Sequence, residues 1–166
     1  MATIPLFISV PSGLEEDAAE ELTRQLRPPT PLKTLQGQVL VNVDLTALGG
    51  GAATVARLLS LTTVDYVHVL LASTALFSSG TSEDGERVAP DPLEAIRSAT
   101  AAVPAARFDA ALELWRAANP EMASLPRDAL AFRCLGKRGG RGHTFTSDDA
   151  KRAAGRGLGA ATGLPG

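Results

Sequence analysis

The sequence predicts an α+β protein. Three observations carry that prediction: apolar patterns that succeed one another as strand, helix, strand, strand, helix, strand; a stretch of alanine-rich helical pattern behind them; and a closing strand, basic glycine loop and capped helix. With 45% hydrophobic and 20% charged residues, the 166-residue chain has the composition of a folded globular protein, not of a disordered tail or a membrane protein. Aromatic residues make up 4%, so Leu, Val and Ala must fill the core.

Residues 4–10 are apolar and β-inclined, and Pro11-Ser12-Gly13 ends them in a turn. Ser12 and Glu15 have capping-box spacing, and Leu14, Ala18, Ala19, Leu22 and Leu26 recur at helical intervals, which predicts a helix over 13–26. Glu15, Glu16 and Asp17 then sit where the positive end of the helix dipole favours acids, and Pro28, Pro29 and Pro31 stop the helix. Residues 32–35 and 38–43 read as a hairpin around Gln36-Gly37, with Val39, Val41 and Val43 on one face. Gly49-Gly50-Gly51 gives a flexible lead into a helix over 52–59, and 64–72 reads as a buried strand. This succession is that of a split βαβ, ferredoxin-like unit with two helices on one face of an antiparallel sheet.

Residues 78–92 are dense in Ser, Gly, Asp, Glu and Pro and predict a loop. Helical stretches follow near 92–102 and 108–118, separated by Pro104 and including Trp115 as a packing residue, and Pro120 and Pro126 bracket another connector. Residues 130–135 resemble a strand. Thr146 opens the last helix with Asp149 at the capping-box position, and Gly155, Gly157 and Gly159 predict a weakening, fraying tail. The expected domains are 1–76, a helical insertion over 77–127, and 128–166.

Cys134 is the single cysteine, so an internal disulfide and a cysteine-cluster zinc site are excluded and a reducing, cytoplasmic compartment is expected, with the nucleus as the alternative. No apolar run approaches the ~20 residues needed to span a bilayer, so no membrane partner is expected. The net charge of −2 hides an asymmetry. Between 133 and 156, seven basic residues (Arg133, Lys137, Arg138, Arg141, Lys151, Arg152 and Arg156) face only Asp148 and Asp149. Elsewhere nine basic residues face sixteen acids. A polyanion-binding segment on an acidic protein shows this segregation, and so does a solvated basic helix with its loop.

Residues 132–147 place a strand, a glycine-permissive basic loop and a helix N-terminus in succession. Backbone N–H groups at a helix start attract phosphate, Lys and Arg neutralise it, and glycines allow close approach. His143 and Phe145 could stack on an unpaired base, or Phe145 could staple the helix into the core. Other candidates carry little. Asn119-Pro120-Glu121-Met122 lacks the second proline and the aromatic of a base-amino methylation motif; Gly157-Leu158-Gly159 lacks dinucleotide spacing; His68, His143 and Cys134 are too scattered for a metal. No catalytic constellation is found.

The segment also resembles a known family. Phe132-Arg133, Arg138-Gly139-Gly140, His143, Phe145-Thr146-Ser147, Asp149-Ala150 and Gly155 follow in order the strand, turn and helix of THUMP domains. Val10-Pro11-Ser12-Gly13-Leu14-Glu15 and Leu61-Thr62-Thr63-Val64-Asp65 resemble two earlier stretches of the THUMP methyltransferases. Gly136 departs from the pattern where relatives often carry Cys.

The resemblance implies the N-terminal portion of a tRNA guanine-N2 methyltransferase: a ferredoxin-like domain, a helical connector and an incomplete THUMP strand-loop-helix that together capture tRNA. It implies Arg133, Lys137, Arg138, Arg141, His143, Lys151 and Arg152 as RNA-facing. It also implies that the S-adenosylmethionine domain, and the small zinc-containing activator subunit that eukaryotic members add to it, belong to a part of the protein outside this sequence. An rRNA guanine methyltransferase sharing the Pro-x-Gly-Leu-Glu opening is one alternative, and a protein-interaction domain without RNA binding is another.

Overall fold

The computed structural model describes residues 3–74, 76, 91–135 and 144–165. They form two compact units, one from Met1–Leu71 with Ala106–Ser124 and the other from Ala72–Ala105 with Leu125–Gly166. The stretch expected as a separate insertion over 77–127 is therefore divided between the two units.

The first unit contains β1 (Thr3–Ser9), α1 (Glu15–Leu26), β2 (Lys33–Leu35), β3 (Gln38–Asp44), α2 (Gly51–Leu59), β4 (Tyr66–Val69) and α4 (Ala105–Ala118). Its four strands lie in the order β2-β3-β1-β4, and every neighbouring pair is antiparallel. This is the expected βαββαβ arrangement. The alternation of side chains along a strand sends Ile4, Leu6 and Ile8 of β1 and Val39, Val41 and Val43 of β3 to one face, where Ala18, Leu22 and Leu26 of α1 and Val55 of α2 close the core. Each such aliphatic side chain contributes ~1.5–3 kcal/mol on full burial. Ala110 and Leu114 bring α4 into the same core.

Several local expectations change. Residues 64–72 were expected to form a buried strand, but β4 is four residues long, lies at the sheet edge and leaves Tyr66 and His68 exposed. The Ser12–Glu15 capping box does not form. Gly13 takes φ +96°, the helix starts behind Leu14, and the Glu15 carboxylate accepts N–H bonds from Gly13 at 2.8 Å and Gly37 at 2.7 Å. Those bonds, the one from Gly37 foremost, hold the Glu15 carboxyl below its ordinary range. The glycine triplet is a constrained turn. Gly49 and Gly50 have φ +90° and +92°, and Gly51 donates its N–H to Glu113 Oε1 of α4 at 2.7 Å, so a carboxylate from a distant helix caps α2.

Glu21 ties α1 to the loop before β4. It is 7% exposed, and its carboxylate accepts from the backbone N–H and the hydroxyl of both Thr62 and Thr63, the shortest bond being 2.6 Å from Thr63 Oγ1. Burial alone would raise its pKa, but the hydrogen bonds from Thr63 and Thr62 outweigh it and pull the carboxyl down to about 2.

The second unit contains α3 (Pro92–Ala101), a 3-10 turn at Arg127–Ala129 and α5 (Ser147–Thr162), and a further 3-10 turn at Pro120–Met122 closes the first unit. Asp91 caps α3 by accepting from Leu93 N at 2.9 Å. The expected strand at 130–135 forms no ladder: Leu130 N bonds Arg127 O at 3.1 Å and Phe132 N bonds Pro165 O at 3.2 Å, because the described residues of this unit include no strand to pair with it. The glycines of α5 do not fray the helix. Gly157 is buried against α3, where an added Cβ would collide with Thr100 Oγ1 and the carbonyl oxygen of Arg97 and lie 3.0 Å from Ala101 N. Helix α5 then ends at Gly163, in the left-handed conformation at φ +70°.

Two predictions follow from these contacts. Glu21→Ala strands four donors and should destabilise the first unit by about 2 kcal/mol in urea denaturation. Because the folded pKa is depressed, the Glu21 contribution is complete above its ordinary 4.5 and is lost as pH falls toward about 2, so the variant and the parent should converge in stability in acid. A constant difference from neutral pH down to the acid limit would exclude this role. In α5, Gly157→Ala should destabilise the second unit by about 1–3 kcal/mol. Gly155→Ala, whose added Cβ would meet Cys134 Sγ at an ordinary 3.6 Å, should be neutral or stabilising, and the two melting curves should move in opposite directions.

Candidate nucleic-acid interface

The candidate site is built on the two sides of α5. Thr146 starts the helix as expected: its hydroxyl accepts from Asp149 N at 3.2 Å, and its own N–H donates to Asp149 Oδ2 at 2.9 Å, which completes a capping box. Phe145 is 8% exposed, which settles its role as a core residue instead of a base-stacking one. Ala153 and Gly157, one turn apart, face inward, while Arg152 and Arg156, also one turn apart, are exposed.

Lys151, Arg152 and Arg156 line an open concavity of about 420 Å³ together with Phe132, Cys134 and Gly155. Among the described residues, three cations and no carboxylate line it. A second concavity of about 330 Å³ shares Arg152 and Arg156 but adds Arg97 and the acids Asp91, Glu94 and Asp149, so its charges balance. Electrostatics therefore favours an anion in the first. Gly155 keeps its floor low, since no side chain stands between Cys134 and the helix backbone.

Carboxylates in the first turn of α5 modulate this charge. Lys151 Nζ pairs with Asp148 Oδ1 at 2.6 Å, and Arg152 pairs with Asp149. The Lys151 bond lowers the Asp148 pKa; the Thr146 hydroxyl and N–H, then Arg152, lower that of Asp149 to about 2. Both carboxylates are thus ionised at neutral pH, and the helix N-terminus is occupied by its own acids. Phosphate contacts would come from side chains a turn further along, not from the backbone N–H groups that the sequence suggested. Exposed pairs of this spacing contribute about 0–1 kcal/mol, so an incoming phosphate can displace the carboxylates.

Of the expected RNA-facing residues, Lys151 and Arg152 are brought together. Arg133 is exposed between the lining residues Phe132 and Cys134, but does not itself line the concavity. Lys137, Arg138, Arg141 and His143 lie outside the described residues. Arg156 is the residue that the site reading missed, although its spacing of four from Arg152 was a visible signal of a shared helix face.

Among the described residues the sheet is wholly antiparallel, and the N-terminus of α2 behind the Gly49-Gly50-Gly51 turn is taken by the Glu113 carboxylate. No group of three or more His, Cys, Asp or Glu among them could hold a metal ion, and no helix among them is long and apolar enough to cross a membrane. The Asn119 amide donates to Trp115 O at 2.7 Å and closes α4 instead of offering a base-binding edge.

No protein-family model matches the chain, and no curated protein does. Among solved structures, the chain is similar to the crystal structure of a predicted N6-adenine-specific DNA methylase from Listeria monocytogenes str. 4b F2365, with a TM-score of 0.56 and 17% identity. The likeness covers 96% of this chain and 31% of that one, so the chain spans about a third of that protein's length. At this identity the likeness shows a shared α+β fold.

The Asp148 pair yields a direct test of the site's electrostatics. Asp148→Asn frees Lys151 and removes one negative charge while leaving the Thr146–Asp149 cap intact, so the variant should elute from a heparin column at higher salt with an unchanged circular dichroism spectrum. Elution at the parent's salt concentration would mean that Lys151 does not contribute to anion binding.

Proposed function

We propose that this chain captures RNA, and specifically tRNA, as the substrate-binding front end of a THUMP-type guanine-N2 methyltransferase. The observation that carries the reading is the concavity in which Lys151, Arg152 and Arg156 converge, the first two also paired with Asp148 and Asp149, on the helix whose capping residues belong to the family-like Phe145-Thr146-Ser147 motif. Three further observations agree with it, the last of them including the same three cations. The βαββαβ unit is the one that the family resemblance implies, the fold is similar to a stretch of a larger predicted N6-adenine-specific DNA methylase, and basic residues cluster between 133 and 156 in an otherwise acidic chain.

In this reading the chain positions and orients the polynucleotide, and the methyl donor acts elsewhere. Side-chain cations neutralise successive phosphates and release counterions, which supplies affinity with little sequence discrimination. S-adenosylmethionine, and the zinc-containing activator subunit of eukaryotic relatives, would belong to a catalytic domain outside this sequence. Arg133, Lys137, Arg138, Arg141 and His143 are the further RNA contacts that the family resemblance implies.

The test is a titration of labelled tRNA by fluorescence anisotropy over a range of salt. The parent should bind with affinity that falls steeply as salt rises, and Arg152→Glu with Arg156→Glu should weaken binding at least tenfold and flatten the salt slope by about two phosphate contacts. Duplex DNA serves as the competitor, because the similar structure is named for a DNA methylase. Binding that prefers duplex DNA would move the substrate from RNA to DNA. Absence of binding to either at low salt would favour a protein-interaction domain.

A further inference from the structure

A second surface, in the first unit, has the chemistry of a base-stacking platform. The helices cover one face of the sheet, and the alternate residues of the strands form the other. The register joins Lys33 to Leu40, Leu40 to Phe7 and Phe7 to His68, so one row of side chains crosses all four strands. At its β4 end the rings continue one into the next: Phe7 and His68 have centroids 6.0 Å apart, and His68 and Tyr66 are stacked at 6.2 Å and 26°. Tyr66 is 68% exposed, although a tyrosine at a sheet edge has apolar neighbours to hand.

The strands leave no exposed carboxylate on this face. Its one carboxylate within the strands, Asp44, is buried, and its Oδ1 accepts from Thr46 N and Ala47 N in the following turn. Lys33 stands exposed at the opposite edge of the row. Of the unit's exposed acids, Glu16, Asp17 and Glu20 belong to α1 and Asp109 and Glu113 to α4, while Asp65 stands exposed immediately before β4. A polynucleotide repelled by α1 therefore meets no exposed strand carboxylate on the open face.

We infer that the open face of this sheet binds unpaired RNA, with bases stacking on Tyr66, His68 and Phe7 and a phosphate at Lys33. Unpaired bases expose π-faces that aromatic side chains on a four-stranded sheet can take up, whereas bases within a duplex are already stacked. The inference rests on the reading that the ligand is RNA, but it concerns a different surface and a different part of the ligand from the cations of α5.

The experiment uses the full chain and labelled oligouridine and oligoadenosine of about eight nucleotides. Tyr66→Ala should weaken their binding about tenfold and Tyr66→Phe should restore it, while the melting temperature of both variants stays that of the parent. Tyr66 is the sole tyrosine and Trp115 the sole tryptophan, so in Trp115→Phe protein the tyrosine emission should be quenched as oligonucleotide is added. Parental affinity in Tyr66→Ala, with no quenching, would overturn the inference and leave tRNA capture by α5 standing if Arg152→Glu with Arg156→Glu still weakens tRNA. A concentration-dependent dimer that Tyr66→Ala dissolves would also overturn it, by assigning the face to a second copy of the chain. Loss of tRNA binding in the α5 variant with oligonucleotide quenching retained would support two separate surfaces.

Discussion

The two-sidedness of α5 depends on the seating of Gly157 against the last turn of α3. Thr100 is fixed there by its own bonds to the carbonyl oxygens of Ile96 at 2.9 Å and Arg97 at 3.0 Å, so the space opposite it admits a hydrogen and no methyl group. Once that contact is made, the rotation of α5 about its axis is set. Ala153 is buried with Gly157, and Arg152 and Arg156 are left outward along one edge of the buried stripe. The basic concavity is a consequence of a packing constraint, because a helix free to turn would scatter the same charges.

The acids in the first turn of α5 serve both the cap and the cations that follow. Asp149 belongs to the cap, and it also partners Arg152; Asp148 only partners Lys151. The first turn is thus stabilised by negative charge at the positive end of the helix dipole, while the cations start a turn later.

Much of this organisation was legible in the sequence where local chemistry decides it. The Thr146–Asp149 box depends on two residues three apart, and the valines of β3 show their buried face by alternation alone. What was not legible depends on partners remote in the chain. Nothing in Gly49-Gly50-Gly51 indicates Glu113, and Glu21 looks like any helical surface acid until Thr62 and Thr63 close over it. The family-like Leu61-Thr62-Thr63-Val64-Asp65 stretch therefore has a structural reason, the clamping of a buried carboxylate. Glycines in α5 were misread because a helix-breaking tendency and a close helix contact use the same residue, and residues 130–135 were misread because a strand pattern cannot reveal the absence of a pairing partner. The site was legible as a charge cluster, but its inclusion of Arg156 needed the helix face to be considered.

Capture of RNA by the outward face of α5 is the central claim, and the most direct measurement is where RNA touches the chain. In photo-crosslinking of thiouridine-substituted tRNA to the full-length chain, with crosslinked peptides mapped by mass spectrometry, the account predicts adducts on the peptides that carry Lys151, Arg152 and Arg156, lost on addition of excess unlabelled tRNA. Adducts confined to α1 and α2, with none on α5 at any salt concentration, would contradict it.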